Sequence, residues 1–271
     1  MRERPFAKYQ GLGNDFVVVD GALWPEAMMT PALARALCDR HRGVGGDGVL
    51  WVERVHGDAG RAVRLVIWNA DGTRPEMCGN GVRCVVAWLA DEGTMMEGET
   101  VAVRTDAGPR PATLLAHGEG GARVAVEMGV ARVAPEPARV RVGGGELHVL
   151  PVDVGNPHGV LFAPHGDEMS VVEAVRALPV FPRGVNVELV AQTAEGFRVR
   201  VNERGVGWTQ ACGTGACAVV AAAVSSGRAG AGEEHAVTLD GGELLVRVTP
   251  CDEGYRVRMA GPAQRVFRGG W

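Results

Sequence analysis

The sequence predicts an α/β (α+β) chain of two pseudo-symmetric domains, each a mainly antiparallel β-sheet wrapped around a central α-helix. Three observations carry this. Cys78 and Cys212 each open a Gly-X-Gly turn, MCGNG and ACGTG, that runs straight into an apolar helical stretch. Laying MCGNGVRCVVAWLADEG on ACGTGACAVVAAAVSSG aligns Cys, Gly, a Cys or Ala and a Val-Val pair, which reads as an internal duplication. The rest is rich in short apolar, β-branched runs broken by Gly, Asp and Asn turns. At 271 residues the chain has room for two domains on a prior of ~100–200 residues each.

In chain order, Phe16 to Val19, Val49 to Val55, Val63 to Ile67 and Val101 to Thr105 read as strands. Thr30-Pro31 is an N-cap with proline at the first helical position, and that helix ends near Arg40. After Cys78 the apolar residues Val82, Val85, Val86, Leu89 and Ala90 keep a helical spacing, with Cys84, Ala87 and Trp88 on the other faces. After Cys212 no charge occurs until Arg228, and a helix apolar nearly all round is a buried one. Ser170 and Glu173 form a capping-box pattern for a helix that Pro179 closes. Further strands are expected at Val185 to Val190, Phe197 to Val201, Leu244 to Val248 and Tyr255 to Met259. The glycine-rich His117 to Gly121 is the expected link between halves.

Composition removes several function classes. A net charge of −4 without a basic stripe gives nucleic acid and anionic membranes nothing to hold. The N-terminus lacks a signal-type apolar region, and the run Ala216 to Val224 falls short of the ~20 residues of a membrane span, so a cytoplasmic protein is expected. Six cysteines without a secretion signal read as thiols, with Cys38, Cys84, Cys217 and Cys251 as small core residues. The spacings Cys78/Cys84 and Cys212/Cys217 lack the pairing of zinc sites, so no metal is expected. Lys8 is the only lysine, which disfavours a Schiff-base cofactor, and cofactor-free chemistry follows.

A thiol at a helix N-terminus sits beside unpaired N–H groups and the positive end of the macrodipole, which lowers its pKa and favours thiolate. Two such thiols in matching contexts suggest a base and an acid on opposite faces of one carbon, the requirement for inverting a stereocentre. Gly43 to Gly48 (GVGGDG) satisfies a dinucleotide-binding pattern in the wrong context, with a helix before it and a strand after it, so it reads as a structural turn. Asn14, Asn69, Asn156 and Asn186 lie in turn-rich segments where asparagine often serves only the backbone. Together with Glu203 and Arg204 they nonetheless suit a ligand with a carboxylate and an ammonium. His158 is either a structural histidine or a group that tunes a nearby thiol.

With these residues assembled, the chain resembles the diaminopimelate epimerases. GLGNDFVVVD, WNADGT, MCGNGVRC, VGNPH, GVNVE and ERGVG..ACGTGACA occur in order over nearly its whole length. The resemblance implies two domains, residues 1–117 with 262–271 and residues 118–261, and an active site in the cleft between them. It makes Cys78 and Cys212 the acid/base pair that interconverts LL- and meso-diaminopimelate without a cofactor. Gly79 and Asn80, with Gly213 and Thr214, would bind the carboxylate at the reacting centre through N–H groups. Asn69, Asn156, Asn186, Glu203 and Arg204 would read the distal amino acid moiety, Asn14 would line the site, and His158 and Glu203 would support thiol ionisation. A small amino acid is then the substrate, and a homodimer is expected by analogy.

One departure stands out. Where the family often has Glu between Gly207 and Thr209, this chain has Trp208, which either faces away or alters the electrostatics around Cys212. A racemase of the same fold and a dithiol redox protein are the competing readings. Retention of the distal polar set argues against the first, and the absence of a C-x-x-C motif against the second.

Overall fold

A computed structural model describes residues 3–57 and 60–271. The chain divides into two units, Met1–Val126 with Ala260–Trp271, and Glu127–Met259. The first unit contains β1 (Pro5–Gly11), β2 (Asn14–Asp20), α1 (Pro31–Cys38), β3 (Gly48–Gly57), β4 (Gly60–Asn69), α2 (Gly79–Asp91), β5 (Thr100–Thr105), β6 (Gly108–Gly118) and the start of β7 (Gly121–Val133). The second takes the rest of β7, then β8 (Ala138–Val142), β9 (Gly145–Asp153), β10 (Pro157–Phe162), α3 (Glu168–Arg176), β11 (Asn186–Gln192), β12 (Gly196–Glu203), β13 (Gly207–Thr209), α4 (Gly213–Ser225), β14 (Glu234–Leu239), β15 (Gly242–Cys251) and the start of β16 (Gly254–Gly270). The last residues of β16 return to the first unit, where Pro5 pairs with Gly270 and Arg83 Nε donates to Pro262 O at 3.2 Å.

Most strand pairs are antiparallel, and the exceptions reveal the duplication. In the first unit β2 pairs parallel with β3 across α1, and β4 with β5 across α2. In the second, β10 pairs parallel with β11 across α3, and β12 with β14 across α4. A parallel pair needs a crossover, and α1, α2, α3 and α4 each lie in one. The two cysteine-headed helices hold the second place in each set.

Burial separates the helices into two kinds. Ala34 and Leu37 of α1 pack with Val17, Val19, Trp51 and Val66, while Phe16 and Val18, alternating with Val17 and Val19 on β2, are buried as well. Strands covered on both faces read as the unbroken apolar runs FVVV and VLWV. On α2 every residue from Gly79 to Ala90 is buried, against β1, β2, β3 and β6. On α4 Ala216 to Ala223 have no exposed surface at all, against β9, β10, β11 and β15. Each fully buried valine there contributes roughly 1.5–3 kcal/mol. α3 lays Val171, Val172 and Val175 on Val149, Leu161 and Val187.

Three sequence expectations shift. Residues 117–121 are the tip of the β6–β7 hairpin, with Gly118 paired to Gly121, and the chain leaves the first unit later, between Val126 and Glu127 inside β7. The boundary therefore falls inside the strand β7 rather than in a glycine-rich turn. The N-cap of α3 is Asp167, not Ser170, because its carboxylate accepts both the N–H and the hydroxyl of Ser170 at 2.9 Å. Cys38, Cys84 and Cys217 are core residues, whereas Cys251 at the end of β15 is only half-buried. Burial pushes the thiol of Cys38 up to about 11 and that of Cys84 to about 12. α1 does begin on Thr30, whose hydroxyl accepts the Leu33 N–H at 3.2 Å.

Candidate active site

Each key cysteine is the N-cap of its helix, with extended backbone: φ −145°, ψ 112° at Cys78 and φ −128°, ψ 107° at Cys212. In both, Sγ accepts the N–H of the residue three further on, Gly81 or Gly215, at 3.4 Å. A thiol here replaces the usual Ser, Thr or Asp cap and faces the unpaired N–H groups of the first turn. Gly79 and Gly213 are the first residues of these helices, with Asn80 and Thr214 following.

In the first unit, Asn14 Oδ1 accepts from Asn80 Nδ2 at 3.1 Å and lies 4.0 Å from Cys78 Sγ. The other end of the Asn14 amide donates to Asp47 Oδ2 at 2.7 Å. Asp47 belongs to the glycine-rich GVGGDG stretch, which serves as the structural turn expected of it. Arg40 grips Asp15 through both terminal nitrogens, at 3.1 and 2.6 Å, and reaches Asp47 Oδ1 at 3.0 Å. The buried Lys8 sits 2.6 Å from Asp15 and donates to Gly45 O. Burial alone would raise the Asp15 carboxyl, but Arg40 and Lys8 outweigh it and hold it at about 2. Asn69 ends β4 opposite Gly48, next to Asp47 in sequence, and its amide donates to Thr73 Oγ1 at 2.9 Å inside its own turn. None of its described hydrogen bonds joins the group at Cys78.

The second unit builds a longer network. Thr214 Oγ1 lies 3.5 Å from Cys212 Sγ and accepts from Asn156 Nδ2 at 3.4 Å. Asn156 Oδ1 meets His158 Nε2 at 3.0 Å, and His158 Nδ1 meets Glu188 Oε1 at 2.6 Å, with both side chains fully buried. A hydrogen-bonded chain thus runs from His158 through Asn156 and Thr214 to Cys212. Asn186, opposite His158 in the parallel β10–β11 pair, donates to Pro157 O at 3.3 Å and accepts the Arg204 N–H at 2.9 Å. Arg204 is exposed, with Nη1 on Arg183 O at 2.8 Å. Glu203 accepts from Thr209 Oγ1 at 2.6 Å. Trp208 pairs with Asn202 and carries the Arg200 guanidinium over its ring at 4.4 Å, a cation–π contact on the partly exposed side of β12.

The electrostatics reverse one expectation. Burial first, then the carboxylates of Glu203 and Glu188, push the Cys212 thiol well above its usual value, against the smaller opposing pull of Thr214 and the Gly215 N–H. A helix N-terminus lowers a thiol only where desolvation and neighbouring carboxylates do not overrule it. Cys212, 6% exposed, favours the thiol form.

Sequence reasoning missed Asp47 and Glu188. Asp47 was hidden in a motif dismissed as a nucleotide site. Glu188 did leave a signal: a lone carboxylate inside the apolar run VELV, two residues after Asn186 and so on the same face of β11. Among the described residues no cluster of His, Cys, Asp and Glu could hold a metal ion, and no helix is long and apolar enough to cross a membrane.

Comparison with known proteins adds the following. The sequence profile of the family described as diaminopimelate epimerase matches residues 6–134 and 150–266. A diaminopimelate epimerase of Microcystis aeruginosa is 39% identical over 286 aligned positions that cover 98% of each chain. One from Desulfitobacterium hafniense is 40% identical, covering 97% of this chain and 96% of that one. Among solved structures, a phenazine biosynthesis protein of the PhzF family from Bacillus anthracis aligns with a TM-score of 0.75 at 16% identity, covering 100% and 99% of the two chains. A hydroxyproline epimerase from Agrobacterium vitis gives 0.73 at 17%, covering 99% and 92%. At such identities these two structures establish the fold alone.

Proposed function

The chain belongs to the diaminopimelate epimerase family, and from that premise we propose that it interconverts LL- and meso-diaminopimelate by a two-thiol acid/base mechanism without a cofactor. The observation that carries the reading is the matched placement of Cys78 and Cys212, each capping the buried crossover helix between a parallel strand pair.

One sulfur, as thiolate, takes the α-proton while the other, as thiol, protonates the opposite face. The two sulfurs exchange protonation states in each turnover. The raised pKa of Cys212 suits it to start as the acid, handing its proton to the carbon. The carboxylate at the reacting carbon is assigned to the N–H groups of Gly79 and Asn80 and of Gly213 and Thr214, which would stabilise carbanion charge as it spreads into that group. Asn69, Asn156, Asn186, Glu203 and Arg204 are assigned to the distal ammonium and carboxylate, and Asn14 to the lining beside Cys78. His158 and Glu203 are assigned to support of thiol ionisation. The reaction belongs to lysine and cell-wall precursor synthesis, in a cytoplasmic enzyme that acts as a homodimer.

The test is incubation of LL-diaminopimelate with the protein in deuterated water. Formation of the meso isomer with deuterium at one α-carbon is expected, and a panel of monocarboxylic amino acids is expected to exchange far more slowly. Exchange confined to a monocarboxylic amino acid would replace this reading with that of a simple racemase.

A further inference from the structure

We propose that Arg176 is a positioning residue for distal recognition: from the last turn of α3 it fixes the peptide that joins Glu203 to Arg204, and with it the directions of those two side chains. The inference rests on the assignment of Glu203 and Arg204 to the distal ammonium and carboxylate, while the clamp itself stands apart from that reading.

That one peptide unit is held at both polar ends by side chains. Its carbonyl, Glu203 O, accepts from Arg176 Nη2 at 3.0 Å, and its N–H, on Arg204, donates to Asn186 Oδ1 at 2.9 Å. The same Arg176 nitrogen also donates to Asn202 Oδ1 at 2.7 Å, so its two protons are divided between the strand end and a side chain in the core. No bond direction here is open to choice: a guanidinium and a backbone N–H only donate, and a carbonyl only accepts. Asn186 is fixed in turn, because its other end donates to Pro157 O at 3.3 Å. A peptide is planar, so pinning its two ends sets how the Cα atoms of Glu203 and Arg204 stand relative to one another.

The side chains that leave this peptide are caught as well. Glu203 accepts from Thr209 Oγ1 at 2.6 Å. The Arg204 stem passes Gly184, where φ is +79° and a Cβ would stand 2.8 Å from Arg204 Cδ, and its Nη1 donates to Arg183 O at 2.8 Å. The Gly184 N–H closes its own turn onto Phe181 O at 3.0 Å. α3 and the turn after it thus supply Arg176, Arg183 O and Gly184 to the Glu203–Arg204 segment.

The first unit repeats the device. There Arg35, in the last turn of α1, donates to Asp71 O at 3.1 Å. Asp71 lies in the turn after β4, as Glu203 ends β12, and β4 and β12 are the strands whose crossover helices are α2 and α4. Gly72, at φ +83°, leaves the room: a Cβ there would meet Arg35 Nη1 at 2.7 Å. In both halves an arginine near the end of the first crossover helix holds a backbone carbonyl where the strand before the thiol helix gives out. A cation at a helix C-terminus could satisfy the macrodipole from many exposed rotamers. These two reach a neighbouring segment instead, and that segment carries Asn69 in one half and Glu203 with Arg204 in the other.

The experiment measures amide hydrogen exchange by NMR on the full chain, alongside turnover of diaminopimelate. In the wild type the Arg204 N–H should be protected although it lies in an exposed turn, and in Arg176→Met it should exchange about ten-fold faster. The Ala216 N–H, bonded to Cys212 O inside α4, should keep its rate, which separates release of the clamp from general loosening. The kcat/KM of Arg176→Met should fall about ten-fold, chiefly through KM, and Arg176→Lys should restore most of it because an ammonium can still donate to both oxygens. Adding Arg204→Met to Arg176→Met should then cost less than it does in the wild type, since the two changes act on one contact. An Arg204 N–H that exchanges in the wild type as fast as in an unfolded chain overturns the proposal without any variant, so a variant that does not fold leaves it decidable. Protection unchanged by Arg176→Met, or losses that simply multiply in the double variant, would overturn it as well. A wild type that shows the Arg176-dependent protection but turns over no diaminopimelate would sink the proposed function and leave the clamp standing.

Discussion

Asp47 accepts the Nδ2–H of Asn14 at 2.7 Å, and that bond turns the Asn14 carbonyl toward Asn80 and Cys78. Removing it in Asp47→Ala frees the amide to rotate and takes one carboxylate from Arg40. A charge-assisted bond of this kind contributes ~1.5–3 kcal/mol, so kcat/KM should drop roughly ten- to a hundred-fold while circular dichroism stays unchanged. Unaltered kinetics would mean that Asn14 needs no such anchor.

Cys78→Ser and Cys212→Ser should each abolish net epimerisation, because a hydroxyl is a far poorer base than a thiol at neutral pH. Measuring both directions matters. Appreciable turnover in both directions by either variant would rule out the two-thiol mechanism.

Gly215→Ala should cost activity beyond its effect on stability. The new Cβ would meet Glu188 Oε1 at 3.0 Å and Cys212 Sγ at 3.3 Å, and neither neighbour is the loose end of a surface chain. Overpacking of this sort costs ~1–3 kcal/mol in stability. Alkylation of Cys212 and kcat/KM should both change in the folded variant, and a variant with wild-type kinetics would show that the sulfur tolerates displacement.

Arg204→Met removes the cation assigned to the distal carboxylate, while the backbone N–H that holds Asn186 stays in place. A loss of roughly ten- to a hundred-fold in kcat/KM on diaminopimelate is expected, from the ~1.5–3 kcal/mol of a charged contact. Indifference to the change would move the distal contact elsewhere.

Asp15 should contribute to acid sensitivity. Burial raises its carboxyl, but Arg40 and Lys8 bring it down to about 2, below the unfolded value of ~3.9. A lowered folded-state pKa gives stability that is present above pH ~4 and disappears as the pH falls toward 2. The difference corresponds to about 2.5 kcal/mol. Urea midpoints should fall over that window in the wild type and less steeply in Asp15→Asn, which will be less stable at neutral pH because it leaves the buried Lys8 without its carboxylate. Parallel acid profiles would remove Asp15 from the account.

Much of the architecture was legible because it is local. The Thr30-Pro31 start, the apolar spacing after Cys78 and the charge-free stretch after Cys212 each specify a helix within their own residues, and α1, α2 and α4 begin where those signals place them. Strands were legible where both faces are covered, as in FVVV and VLWV, and illegible where polar residues interrupt them, as in β8 (ARVRV) and β14 (EHAVTL). The parallel pairing of β4 with β5 and of β12 with β14 left no trace, since a register is a relation between segments and not a property of either.

The same division holds at the site. The sequence by itself determined that two cysteines would stand at two helix N-termini, because Gly-X-Gly followed by an apolar run does that wherever the chain lies. It also nominated Asn14, Asn156, His158 and Asn186. Only the tertiary structure decided what those groups face: that Asn14 is turned by Asp47, that His158 is gripped by Glu188, and that Cys212 is pushed toward the thiol form by burial and by Glu203 and Glu188. Hydrogen-bond polarity and desolvation depend on atoms brought within 3 or 4 Å by strands 30 residues or more apart, as Asn14 is from Asp47 and His158 from Glu188. No local pattern encodes that proximity, because burial and partner are fixed together only when the sheets form around the helices.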